Sequence, residues 1–148
     1  MSTDLHPDFP VVNGDYAMAK GWRIALPLDF NRRIEDGSLV LWRPELTFWI
    51  NVWHGEGQAS VDDVLARLLA GASAQRTAET VEKAGPMVRL TYELAEDDAE
   101  RTGSDNNSVN GFVIYPAGYV QVSAYCDLAQ ARELAYQIVS SVRTDQAG

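Results

Sequence analysis

The chain has a single cysteine, Cys126, in 148 residues, which excludes an internal disulfide and a cysteine-rich zinc site and agrees with a reducing compartment. Basic charge is scarce as well: 12 Lys and Arg stand against 21 Asp and Glu, leaving a formal net charge of -9. That balance repels phosphate backbones and anionic lipid headgroups, so nucleic acid is not an expected partner. Arg32-Arg33 with Arg23 is the only local basic group, expected as a solvated turn or as an orienting group for an acidic ligand. No stretch approaches the roughly 20 apolar residues of a membrane span, and the N-terminus MSTDLHPDFPVVNG has no basic start followed by an apolar run. The expectation is a cytoplasmic protein with no membrane insertion.

Chemical signatures are missing too. There is no Walker-type loop, dinucleotide glycine fingerprint, Gly-x-Ser-x-Gly elbow or His-Glu-x-x-His run, so no cofactor, metal or catalytic set is expected. Gly55-Glu56-Gly57 begins like a glycine-rich loop but lacks the third glycine and any phosphate-reaching lysine.

What the chain does contain is one pattern twice: two hydrophobic strands joined by a short turn, then a capped amphipathic helix. The first copy runs from about Ser38 to Leu69 and the second from about Asn110 to Val142. Before them, residues 1–14, with Pro7 and Pro10, read as a loose arm, and Asp15 to Pro27 as a strand or bent hairpin. Asp29 to Arg33 reads as a polar turn. Leu46, Phe48, Ile50 and Val52 alternate with Thr47, Trp49, Asn51 and Trp53, so both faces of that strand carry large apolar groups. Ser60 and Asp63 form an acidic capping box ahead of Val61, Val64, Leu65, Leu68 and Leu69 at helical spacing. Arg76–Glu82 and Met87–Leu94 read as a hairpin, Ala95–Ser108 as a loop, and Phe112–Tyr115 with Tyr119–Cys126 as the last hairpin. Asp127 caps the final helix, whose stripe is Leu128, Ala131, Leu134, Ala135, Ile138, Val139 and Val142.

Each helix is apolar on one side only and must lay that side on the sheet. The expected fold class is therefore α+β. A single mostly antiparallel sheet of six or seven strands would carry two main helices in an α/β/α sandwich, one domain over 15–143 with a frayed tail over 144–148.

The order strand, strand, strand, helix, four strands, helix, with a Trp22-containing strand ending at Leu26-Pro27, the LPLDF segment and the final hairpin-helix, resembles the PsbP-like α/β/α domains. That group includes DcrB-like bacterial proteins and the adaptor chaperones of type VI secretion effectors. The resemblance implies a non-enzymatic binding scaffold. The polar turn at Asp29–Arg33 departs from the strand that the chaperones have after the proline.

Three surfaces compete for function. Trp42, Trp49, Trp53, Tyr115, Tyr119 and Tyr125 fall on the strand face opposite the clearest core stripe, where they would either line a groove for a protein partner or a homodimer, or be covered by a helix as core. Cys126 and His54 each follow a strand and precede a helix. If the two junctions share a sheet edge, the thiol and imidazole could act together with Glu56 or Asp127 as orienter; otherwise Cys126 continues the Val120, Val122, Ala124 core face. The acidic run Glu93–Glu100 with Gly103–Asn107 offers oxygen ligands, yet lacks the spacing of a calcium loop and reads better as a solvated hairpin tip. The leading function is a non-enzymatic adaptor, chaperone or immunity-type domain binding another protein, expected to be basic. The alternative is a small enzyme or ligand-binding domain at the strand-to-helix junctions.

Overall fold

A computed structural model describes residues 5–19, 21–44, 46–54, 60–95, 107–116, 118–126 and 129–144. In chain order the elements are β1 (Val11–Ala19), β2 (Trp22–Glu35), β3 (Ser38–Arg43), β4 (Leu46–His54), α1 (Val61–Gly71), β5 (Thr77–Ala84), β6 (Met87–Ala95), β7 (Asn107–Tyr115), β8 (Gly118–Cys126), α2 (Ala129–Val139) and β9 (Arg143–Thr144). All strands join one antiparallel sheet in the order β1-β2-β3-β4-β8-β7-β6-β5, with β9 paired to β2.

The expected sandwich of six or seven strands is therefore corrected. The sheet has nine strands and dominates the chain, while each helix is only 11 residues long and covers part of one face. The difference comes mainly from β1, β2 and β9. β2 runs 14 residues straight through the expected polar turn, because the polar groups there are satisfied between neighbouring strands. Asp29 accepts from the Asn13 amide at 2.6 Å through Oδ1, and its carbonyl accepts from Arg43 at 2.7 Å. The turn comes later, at Asp36-Gly37, both with positive φ as a two-residue hairpin turn requires. β1 begins at Val11, within the segment expected as a loose arm. β7 begins at Asn107, ahead of the expected Phe112.

Opposite Asn13 the register jumps from Val12↔Phe30 to Gly14↔Leu26, which leaves Pro27, Leu28 and Asp29 as a bulge in β2. Beyond this bend the strand leaves β3, and Trp22 meets Tyr115 of β7 edge-to-face, ring centroids 5.6 Å apart. β7 lies four strands from β2 in the sheet, so the sheet curls back on itself. The inner face holds α2 and the main core, including Trp22, Ile24, Phe30, Phe48, Ile50, Val113, Val122, Ala135 and Ile138. Burial of each large aliphatic or aromatic side chain among these contributes about 1.5–3 kcal/mol relative to exposure.

The helices lie on opposite faces. Along β7, Val109, Gly111 and Val113 point to α2, and Phe112 and Ile114 point to α1. α1 opens as the capping sequence predicts, with the Asp63 N–H donating to Ser60 Oγ at 3.0 Å, and lays Val61, Val64, Leu65, Leu68 and Leu69 on Val88, Leu90, Phe112 and Ile114. Its main contacts are with β6 and β7. At the far edge, β5 is exposed along its whole length. Among the described residues no helix is long and apolar enough to cross a membrane.

Candidate functional site

The outer face of β2, β3, β4 and β8 carries most of the aromatic set that the sequence predicts. Strand alternation sends Phe48, Ile50 and Val52 inward and Thr47, Trp49, Asn51 and Trp53 outward. Their partners on β8 are Tyr125, Ser123, Gln121 and Tyr119 in the same order. β3 adds Trp42 opposite Thr47, and β2 adds Arg33 opposite Val40. Five of the six aromatic residues thus share one face. Tyr115 does not: it pairs with Gly118, keeps the parity of Val113 and packs inward on Trp22.

The face is neither a buried core nor fully open. Trp53 is 42% and Tyr125 37% exposed, while Trp42, Trp49 and Tyr119 are half-buried. Trp53 stacks on Tyr119 with centroids 5.0 Å apart and planes at 22°. Tyr119 continues through Phe112 to Tyr92, so this end of the face merges with the apolar layer beneath α1. At the other end the Arg33 guanidinium lies 4.6 Å from the Trp42 centroid and 5.8 Å from that of Trp49, and its Nε pairs with Glu35 at 2.7 Å. Between the aromatics runs a polar row. Ser38 Oγ donates to Asn51 Oδ1 at 2.7 Å, Ser123 Oγ to Asn110 Oδ1 at 3.0 Å, and Asn110 Nδ2 to Ser108 Oγ at 3.0 Å.

The N-terminal segment borders this face. Asn31, on the outer side of β2 and 0% exposed, accepts from the His6 N–H at 2.6 Å and donates to the carbonyls of His6, Phe9 and Pro10. Held in this way, Phe9 packs edge-on against Trp42 at 5.0 Å. The sequence offered one signal for this contact, an apolar aromatic between Pro7 and Pro10.

The alternative site does not assemble. His54 pairs with Gly118 and Cys126 pairs with Leu46, eight positions apart along the β4–β8 ladder and hence about 27 Å at the strand rise per residue. Cys126 is 3% exposed on the α2 side, continuing Val122 and Ala124 as the hydrophobic alternative expected. Glu56 and Asp127 lie outside the described residues, as does the acidic run over 96–106. Among the described residues no group of three or more His, Cys, Asp or Glu could hold a metal.

A buried polar set was missed by the sequence. The Tyr136 hydroxyl donates to Glu93 Oε2 at 2.6 Å, and Arg132 Nε stands 3.7 Å from Glu93 Oε1. Glu93 is only 8% exposed. Burial, then the hydrogen bond to Glu93 and its negative charge, push the Tyr136 phenol far above its ordinary value. Tyr136 and Arg132 are four apart on the helix beside the Ala131/Ala135 stripe, which is the signal that could have marked them.

No family model matches the chain, and no curated protein matches it. A crystal structure from Bacteroides thetaiotaomicron VPI-5482 is similar in fold, with a TM-score of 0.57 and 15% sequence identity over 90% of this chain and 49% of that one. The chain spans about half the length of that structure, and the likeness is one of fold alone.

Proposed function

We propose that this chain is a non-enzymatic protein-recognition domain, of adaptor, chaperone or immunity type, that binds its partner through the outer face around Trp49, Trp53, Tyr119 and Tyr125. The observation that carries this reading is the exposure of Trp53 and Tyr125 on the outer side of the β4–β8 pair, while the main contacts of α1 fall on β6 and β7. Aromatic side chains on a preformed strand surface offer large contact area at small entropic cost, as interface anchors do. The net charge of -9 favours a basic partner by speeding encounter. A cytoplasmic setting suits the single cysteine, which the fold keeps as part of the core.

The test is capture from native lysate with the wild-type chain and with Trp53→Ala and Trp49→Ala, each checked for folding by circular dichroism. The reading predicts a partner held by the wild type and lost from both variants. A partner retained equally by the variants would refute it.

A further inference from the structure

We infer that Asn13 is a site of spontaneous covalent modification: with Gly14 it closes to a succinimide that water opens to aspartate and isoaspartate, and the new carboxylate loosens the start of β1 from β2.

The chemistry needs an asparagine followed by a residue whose backbone nitrogen can reach the side-chain carbonyl, and glycine, with no Cβ, obstructs that approach least. The Gly14 nitrogen bonds to Asn13 Cγ as the Cγ–Nδ2 bond breaks, and its proton leaves with Nδ2 as ammonia. One water then adds to either carbonyl of the ring. Opening at Cγ gives aspartate. Opening at the backbone carbonyl gives isoaspartate, in which the main chain runs through Cγ. One water is consumed and one ammonia released, and no oxidant or reductant is required.

Two asparagines in the chain precede glycine, Asn13 and Asn110. Their surroundings differ. Asn110 is buried on β7, between β6 and β8, where its side chain donates to Ser108 and accepts from Ser123. Gly111 is backed by Val139, so the backbone rotation that ring closure requires has no room. Asn13 and Gly14 are both exposed on β1, which among the described residues has a strand on one side only. The ladder skips Asn13 at the register jump from Val12 to Gly14. Gly14 sits at φ 67° with nothing within 4 Å of the place a Cβ would take. A bulge in an edge strand is therefore free to rotate where the centre of the sheet is not.

One side-chain contact ties Asn13: Nδ2 donates to Asp29 Oδ1 at 2.6 Å. As a single exposed hydrogen bond it exchanges readily with water. The same contact sets the consequence of the reaction. Once oxygen replaces Nδ2, two carboxylates face each other where a donor met an acceptor, and like charges opposed on neighbouring strands weaken their pairing. Isoaspartate also lengthens the main chain by one carbon in a ladder that is already irregular. Beyond Gly14, Asp15 still holds β1 to Arg23 and Arg143, so the loosening is confined to the stretch from Val11 to Gly14. That stretch leads into the segment clasped by Asn31.

The test incubates the full chain in mildly alkaline buffer, folded and in denaturant, and follows both asparagines by mass spectrometry of tryptic peptides, with fragmentation to place each conversion. Asn13 is the only asparagine of the tryptic peptide 1–20. In the folded chain Asn13 should convert at least about tenfold faster than Asn110, which must wait for the core to open. In denaturant the two should convert at similar rates. Asn13 staying intact in the folded chain while converting in denaturant would overturn the inference, as would equal rates at the two sites in the folded chain. Asn13→Asp and Asn13→Ser then separate the new charge from the altered side chain. The amides of Val11, Val12 and Gly14 should exchange faster with solvent in the aspartate variant than in the serine variant, and those of β8 should be unchanged in both. Equal exchange in the two variants would overturn the loosening by charge.

Discussion

Gly111 of β7 approaches Val139 of α2 so closely that a Cβ on the glycine would stand 2.5 Å from Val139 Cγ1. Val139 is fully buried and stiff at χ1, so it has no room to withdraw. Gly111→Ala is expected to cost about 1–3 kcal/mol, the usual penalty for overpacking, and to lower the thermal midpoint by several degrees. Pairing it with Val139→Ala should cost less than the sum of the two single variants in chemical denaturation, because the second change removes the obstructing methyl groups. Simple additivity would mean that the two residues do not meet.

The clasp made by Asn31 gives a second expectation. Asn31→Ala removes the acceptor for the His6 N–H and the donor to three carbonyls of the N-terminal segment. Global stability should fall by about 1–3 kcal/mol as these polar groups lose their partner. The His6 amide should lose protection in hydrogen exchange, and the core amides of β8 should keep theirs. A His6 amide equally protected in the variant would contradict the clasp.

Alkaline titration addresses Tyr136. Its folded-state pKa is raised, so the neutral phenol is favoured by the fold; the contribution is fully present below the ordinary tyrosine value and is lost as pH climbs through the folded one. Tyr92 is also raised, by burial. Phenolate absorbance should therefore show Tyr92 and Tyr136 ionising late, and Tyr136→Phe should remove one late step. A late step of the same size in Tyr136→Phe would be inconsistent with the buried Glu93 contact.

At acid pH the relevant group is Asp15, which accepts from Arg143 at 2.7 Å and from Arg23 at 2.9 Å and ties β1 to β2 and β9. The Arg143 hydrogen bond is the main reason its carboxyl lies below the ordinary 3.8. A depressed pKa contributes stability above 3.8 that is lost as pH falls through the folded value. Asp15→Asn should flatten the acid limb of the stability profile without altering its alkaline limb. An unchanged acid limb would show that the clamp adds nothing.

Local features were read more securely than long-range ones. Periodicity placed β3 and β4, and the Ser60 cap marked the start of α1, because these depend on neighbours within a few residues. The sheet size was underestimated because the polar residues Asp29 to Arg33 resemble a turn until Asn13, Arg43 and the N-terminal segment are known to satisfy them. The aromatic face was legible at five positions and misplaced at Tyr115. The sequence places Tyr115 with Tyr119 on the face opposite the core stripe, whereas its pairing with Gly118 gives it the inward parity of Val113 and Val120. Glu93 was invisible for a related reason. Val88, Leu90, Tyr92 and Leu94 mark one apolar face of β6, and only the position of α2 reveals that the other face is covered too.

The exposed strand β5 carries a further consequence. Among the described residues it ends the sheet with no strand on its outer side, an arrangement that invites pairing with another chain. Its register slips between Thr77 and Thr80, Ala78 is held at φ 54°, and Glu79, Glu82 and Lys83 crowd the rest of the strand. A neighbouring molecule would have to match an irregular ladder and bring its own charges against these. This edge of the sheet is therefore a poor template for growth by strand addition.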